Sequence, residues 1–346
     1  MTMITDTISP PSATISPAAA RPWAGRAPAI AVLIPCYNEE AAIETVVRDF
    51  RASLPAAAIY VYDNNSRDRT VERARAAGAV VRCEPLQGKG NVVRRMFADI
   101  EADVYVLVDG DATYHAASSP LMVQRLWDDQ LDMVNGARVT EIVAAYRLGH
   151  RFGNRLLTGL VAYIFGNRIN DMLSGYRVLS RRFVKSFPAL SSGFETETEL
   201  TVHALDVRMP IAEIPTPYKD RPPGSLSKLN TVRDGIRILK TILVLVKEER
   251  PLPFFVGGFG ILSLLALLLA LPVVTTFLQT GLVPRLPTAV LATGLMLLAF
   301  LSLTCGLILD TVTLGRREMK RMRYLAIPAP GGGNSAPVPS DDGTEP

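Results

Sequence analysis

Cysteine is scarce: Cys36, Cys83 and Cys305 are far apart and share no ligand spacing. That excludes a disulfide framework and gives no indication of a zinc site. Histidine is equally rare, and His115, His150 and His203 are not placed as an obvious general base. No G-x-x-x-x-G-K-[ST] occurs, so "QGKG" at Gln87–Gly90 is not a P-loop. Basic residues do not cluster with aromatic readers on one face, which argues against nucleic acid as a partner. Residues 1–28, rich in Ala, Pro, Ser and Thr, lack the apolar core of a secretory signal and are expected to be disordered. No internal repeat is visible.

Charge is missing from two long runs. Pro251–Pro284 contains none, Arg285 interrupts, and Leu286–Leu309 is again uncharged. Each run supplies the roughly 20 apolar residues a membrane-crossing helix needs. A transmembrane hairpin is therefore expected over 251–315, with helices at about 254–278 and 287–311. Lys247 and Arg250 precede it, and Arg316, Arg317, Lys320, Arg321 and Arg323 follow. Positive charge on both outer flanks predicts a multi-pass protein of the inner (cytoplasmic) membrane with both termini and the large N-terminal part in the cytoplasm. Residues 316–346 read as a basic flank and a disordered tail.

Just before the hairpin, residues 229–250 place Arg233, Arg237, Lys240 and Lys247 in one narrow helical sector, with a broad apolar face on the other side. This pattern suits an interfacial helix lying in the headgroup layer of the bilayer. "RFGNRLLTGLVAYIFGN" (Arg151–Asn167) has a similar mixture.

Residues 29–228 form the remaining domain, which alternates strand and helix. "AIAVLIP", "AAIYVYD", "AVVRCEP" and "DVYVLVDGD" read as strands, separated by helical stretches. The first helix is expected to open at Asn38, with Glu39 and Glu40 in its first turn. Repeated strand–helix–strand units imply an α/β fold with a mainly parallel sheet and flanking helices. Ligands bind beyond the carboxyl ends of such strands, where Pro35, Asp63, Pro85 and Asp109 converge. The strand ending at "VDGD" presents Asp109 and Asp111 one residue apart. Such a repelling pair is either a solvated turn or the seat of a cation.

In order, "IPCYNEE", "YDNNSRDRT", "LQGKGNVV", "VDGDATY", "MVNGARV", "DMLSGYRVLS", "GFETETEL" and "RPPGSLSKL" resemble the family 2 glycosyltransferases. The resemblance points to the polyprenyl-phosphate branch, which includes dolichol-phosphate mannosyltransferases and bacterial undecaprenyl-phosphate glucosyltransferases. It runs from about Ile30 to Lys228 and implies a GT-A fold, which is Rossmann-like. It also implies transfer of a hexose, with inversion, from a UDP- or GDP-sugar to a polyprenyl monophosphate. By resemblance Pro35, Asn38, Glu39, Asp63, Lys89, Gly90 and Asp109 bind the donor, and Asp109 and Asp111 hold Mg²⁺ or Mn²⁺. Hard carboxylate oxygens suit these ions. Thr113 stands where several relatives carry Gln.

By the same resemblance the acceptor phosphate is expected to meet Arg138, Arg151, Asn154, Ser174, Arg177, Arg221, Ser227 and Lys228. Asp111, Arg138 and Glu197 are the catalytic candidates, Glu197 being weighed against a helix-start role for Glu195–Glu199. Relatives with short membrane hairpins can form tetramers, so a homo-oligomer is a further expectation. Two rivals are a family 2 enzyme acting on a glycolipid or polysaccharide hydroxyl and a non-catalytic membrane scaffold. "QRLW" at Gln124–Trp127 lacks the spacing of the Q-x-x-R-W motif of processive synthases.

Overall fold

The computed structural model describes residues 26–139, 159, 169–191, 193, 195–219, 244, 247 and 250–330. A seven-stranded sheet has the order β3-β2-β1-β4-β6-β5-β7. Its strands are β1 (Ile30–Cys36), β2 (Ala58–Asp63), β3 (Val80–Cys83), β4 (Val104–Leu107), β5 (Met133–Val139), β6 (Arg177–Ser180) and β7 (Ile211–Pro217). β1–β4 pair in parallel, β6 runs antiparallel to both its neighbours, and β5 and β7 are again parallel. Cys36 lies opposite Asp63, and Asp63 opposite Cys83, so three strands end level with one another. The loops that follow them are delivered to one sheet edge.

Apolar residues alternate between the two faces. Val32, Ile34, Val61, Val104 and Val106 pack under α1 (Ile43–Ser53), α2 (Thr70–Ala76) and α4 (Ser119–Asp128). Leu33, Tyr62, Tyr105 and Leu107 pack against α3 (Lys89–Asp99), α5 (Arg181–Ser186) and α6 (Thr196–Val207). Two-sided burial explains why the strands read as nearly continuous apolar runs.

The first helix departs from expectation. It starts at Ile43, with Glu44 rather than Glu39 or Glu40 in its first turn. Asn38 instead adopts a left-handed φ of 51°, a conformation asparagine tolerates better than most residues. Its backbone N–H donates to Ser66 Oγ (2.8 Å), and its side-chain carbonyl accepts from Arg67 N (2.8 Å). Asn38 thus ties the β1 loop to the β2 loop instead of capping a helix.

Two helices, α7 (Pro251–Thr280) and α8 (Leu286–Leu325), are long and apolar enough to cross a membrane, and nearly all of their apolar side chains face outward. They pack through small residues: Ala266, Ala292, Ala299 and Gly306 are buried. A Cβ at Gly306 would stand 2.8 Å from Phe255 Cβ, and Ser302 Oγ donates to Phe255 O (3.0 Å). Close approach through small residues is how helices associate where lipid removes the hydrophobic incentive. α8 continues through the basic flank to Leu325, beyond the boundary expected near 311. Arg, Glu, Met, Lys and Leu in that flank are good helix formers.

Residues 229–250, expected to form an interfacial helix, lie almost wholly outside the described residues, as does Arg151–Asn167.

Candidate active site

β4 is followed by Val108 and the sequence Asp109-Gly110-Asp111-Ala112-Thr113. Ala112 has a left-handed φ of 59°, a local strain of the kind that collects at functional sites. Thr113 then folds back: its Oγ1 donates to Asp111 Oδ1 (2.6 Å), and its N–H reaches the same oxygen at 3.2 Å. Asp111 is only 4% exposed, and Thr113 fixes its rotamer. Thr113 therefore positions a carboxylate.

Asp109 lies beside Gly175. A Cβ at Gly175 would be 2.2 Å from Asp109 Oδ2, so only glycine fits there. Gly110 is similarly confined, since a Cβ would come 2.5 Å from Cys36 Sγ. Lys89, the first residue of α3, is ion-paired with both Asp109 and Glu197. Burial drives the ammonium pKa down, but the two carboxylates outweigh burial and hold it above the ordinary lysine value. Glu197 is in the first turn of α6, and its Oε2 is buried with no hydrogen-bond partner among the described residues. Its neighbour Glu199 does the loop work, accepting from Leu190 N (2.7 Å) and Ser191 N (2.9 Å). Gly90 allows this loop to approach: a Cβ there would stand 2.1 Å from Ser191 O.

At the neighbouring strand end, Asp63 is 5% exposed. Its Oδ2 accepts from Ser66 N (3.1 Å), while its Oδ1 has no partner among the described residues. A buried acceptor left over in this way fits a ligand N–H. Asn64 braces the adjacent loop through Nδ2 to Glu84 O and Leu86 O (both 2.8 Å) and through Oδ1 from Gly88 N (2.7 Å). Glu39 is buried, with its N–H donating to Thr70 Oγ1 (2.9 Å), and Pro35 is half-buried in β1.

Arg138, at the end of β5, is held by Asp171 through Nε–Oδ2 (2.7 Å) and Nη2–Oδ1 (2.8 Å), and lies 5.6 Å from the Tyr218 ring centroid. Burial raises the Asp171 pKa, but hydrogen bonds and charge from Arg138 outweigh it and hold the carboxyl below its usual range. Asp171 in turn belongs to a loop organised by Glu213, which accepts from Asn170 N, Asp171 N and Asn135 Nδ2.

Two acceptor candidates do not fit their assignment. Arg177 is fully buried and donates to Ser174 O (3.1 Å) and Met172 O (2.7 Å). Ser174, also fully buried, donates to Gly136 O (2.6 Å) and accepts from Tyr176 N. Both hold the 171–176 loop together rather than facing a ligand. Arg151, Asn154, Arg221, Ser227 and Lys228 lie outside the described residues, as does His150.

The sequence reading missed Asp171, Glu213, Asn135 and Asn64. For Asp171 the signal was present: it opens the same "DMLSGYR" motif from which Ser174 and Arg177 were chosen.

His203 is not a base for this site. It is buried among Phe183 and Phe187, with Nε2 3.2 Å from Ser186 Oγ. Burial, aided by Lys320, lowers its pKa to about 3. The unfolded chain therefore binds its proton first as pH falls. His203 stabilises the fold fully above pH ~6.5 and progressively less from there down to about 3. Thermal unfolding followed from pH 7 to pH 4 is expected to show this slope, and His203→Gln to flatten it. An unchanged slope in the variant would assign the acid sensitivity elsewhere.

Asp109 and Asp111 supply hard oxygen donors of the kind Mg²⁺ or Mn²⁺ prefers. Among the described residues no group of three His, Cys, Asp or Glu could hold an ion unaided. The pair thus fits a cation whose remaining positions are filled from a ligand such as a diphosphate.

Comparison with known proteins gives the family and the fold. The Glycosyl transferase family 2 model matches residues 31–187. Glycosyltransferase AglJ of Haloferax volcanii is 34% identical over 306 residues, covering 86% of this chain and 98% of its own. The dolichyl-phosphate hexose transferase of the same organism is 31% identical over 222 residues, 64% of this chain and 95% of its own. Among solved structures, glucosyl-3-phosphoglycerate synthase from Mycobacterium tuberculosis in complex with Mn²⁺, UDP and glucosyl-3-phosphoglycerate superposes with a TM-score of 0.53 at 25% identity. That alignment covers 64% of this chain and 79% of the synthase. The fold is GT-A-like, and the chain belongs to glycosyl transferase family 2.

Proposed function

We propose that this protein is a membrane-anchored, metal-dependent hexosyltransferase that moves a sugar from a UDP- or GDP-sugar to a polyprenyl monophosphate at the cytoplasmic face, with inversion. The observation that carries the reading is the Asp109/Asp111 pair at the ligand-binding edge of a GT-A-like sheet, in a chain that ends in two apolar helices. The similarity to a dolichyl-phosphate hexose transferase supports the acceptor. The Mn²⁺ and UDP of the synthase complex support the donor and the ion.

In this reading Asp63 Oδ1 receives an N–H of the nucleobase, and Asn38 and Asn64 hold the two loops around the nucleoside. Lys89 stands beside the diphosphate, and Glu197 Oε2 accepts from a sugar hydroxyl. Asp109 and Asp111 would hold a divalent cation, which would supply neutralising charge to the departing diphosphate. Arg138, its plane fixed by Asp171, orients the acceptor phosphate. An oxygen of that phosphate attacks the anomeric carbon from the face opposite the leaving group. The new C–O bond forms as the bond to the diphosphate breaks. A phosphate monoester with a second pKa near 6 is already anionic at neutral pH, so no proton has to be removed.

A hydroxyl acceptor is the second reading, because it would need a base and Glu197 has an unpartnered oxygen to offer. Glu197→Gln separates the two: with a phosphate acceptor it is expected to weaken sugar binding yet retain transfer, and complete loss of transfer with donor binding intact would favour the base.

Membranes carrying the protein, offered labelled UDP- and GDP-sugars with polyprenyl phosphate, are expected to yield an organic-extractable, mild-acid-labile product that chelator suppresses. Label transfer that ignores added polyprenyl phosphate would overturn the acceptor assignment. Asp171→Asn is expected to raise the acceptor KM about 10- to 100-fold, the equivalent of one or two charge-assisted hydrogen bonds. Donor affinity should stay unchanged. A fall in donor affinity instead would place Arg138 on the other substrate.

A further inference from the structure

The charged end of α8 returns to the catalytic unit and docks on it. Arg317 and Lys320 both pair with Asp206 (2.7 and 3.0 Å), whose side chain is 2% exposed. Tyr324 Oη donates to Asp132 Oδ2 (2.8 Å), and the Tyr324 ring lies 4.7 Å from the Arg182 guanidinium. Asp132 is completely buried, accepts from Ser180 Oγ (2.6 Å) and also pairs with Arg182. Arg323 adds a bond to Lys185 O (3.5 Å).

Arg317, Lys320 and Tyr324 stand at i, i+3 and i+7, so they share one helical face. Met319, Met322 and Leu325, on other faces of the same turns, remain exposed. An apolar contact would let α8 slide or rotate. Any other register would leave the buried Asp206 carboxylate desolvated without Arg317 and Lys320 and would take Tyr324 from Asp132, which keeps Arg182 and Ser180, so one register is favoured.

Asp206 lies in the last turn of α6, whose first turn carries Glu197 at the site. One rigid helix, with Glu197 and Asp206 about 14 Å apart along its axis, therefore joins the docked end of α8 to the residues around Lys89.

We propose that α8 is a strut rather than a tether. Asp132 and Asp206 are positioning residues that lock its charged end, and that lock sets the height and tilt of the active site over the lipid surface. The lock stands on the contacts above. Its consequence for the lipid-borne acceptor rests on the function proposed in the preceding subsection.

The test uses the full chain in nanodiscs of phosphatidylcholine and phosphatidylglycerol, comparing wild type with Tyr324→Phe, Asp206→Glu and the double variant Asp206→Asn/Tyr324→Phe. Hydrogen exchange at 316–325 is expected to be at least ~10-fold faster in the double variant, with β1–β4 unchanged. Asp206→Glu, which keeps the charge, should remain close to wild type. Exchange equal to wild type, or acceleration spread through β1–β4, overturns the lock.

In the same samples, transfer to a long-chain polyprenyl phosphate in the bilayer is compared with transfer to a short, water-soluble prenyl phosphate. The ratio is expected to fall about tenfold in the double variant. Equal losses on both acceptors overturn the positioning role. If wild type uses neither acceptor, the proposed function fails while hydrogen exchange still decides the lock.

Discussion

Asp111→Asn is expected to lower sugar transfer at least ~10³-fold at saturating donor and Mn²⁺, a loss of about 4 kcal/mol of transition-state stabilisation. Asparagine keeps the volume and one of the two oxygens, so the loop held by Thr113 survives and the charge is lost. What disappears is a hard anionic ligand in a position only 4% exposed, where water cannot replace it. Thr113→Val should act through the same carboxylate more weakly, about 10-fold, because the rotamer loosens while the charge remains. Gly175→Ala offers an independent check. It removes no functional group, yet its Cβ would meet Asp109 Oδ2 at 2.2 Å, so it should weaken binding of UDP with Mn²⁺. Initial rates and calorimetry measure both. Transfer by Asp111→Asn within threefold of wild type would remove the cation from the mechanism.

Lys89→Met is expected to destabilise the ion-free protein by about 3–5 kcal/mol, the usual result of breaking a buried ion pair from one side. Glu197 is largely buried, and Lys89 is its cationic partner in the structure. The loss would lower the melting temperature by about 6–20 °C. Mn²⁺ with UDP should then raise the melting temperature further in the variant than in wild type, since a bound cation supplies part of the missing charge and ligand binding is linked to folding. Thermal unfolding with and without Mn²⁺ and UDP decides this. An unaltered melting temperature would mean that Glu197 does not depend on Lys89 in the folded protein, and the ion-paired cluster would not exist.

Asp109 and Asp111 could be read from the sequence because their signal is local: an apolar strand must end, and two carboxylates directly after it need a cation or water. Asp63, Lys89 and Glu197 also fall at strand ends or helix starts, but their roles came from the resemblance of the motifs around them. Arg177 misled because "SGYR" says nothing about which way the arginine points. Pairing of β6 antiparallel between β4 and β5 buries it, and carbonyls rather than a phosphate receive its donors. Asn38 misled for a related reason. Its preference for caps and for left-handed turns is the same chemistry, and the choice depended on Ser66 and Arg67 in a loop 28 or 29 residues away.

Composition and periodicity by themselves determined the layered α/β class, the parallel start of the sheet, the carboxylate pair and the two long apolar helices. Each follows from backbone geometry acting over a few residues, or over one helix length. Tertiary structure alone decided that Asp171 clamps Arg138, that Glu213 organises that loop, and that Asp132 and Asp206 receive the end of α8. The Asp132–Tyr324 bond joins residues 192 positions apart. No local pattern marks such a pair, because its stability depends on burial and on partners that exist only once the chain has closed around them.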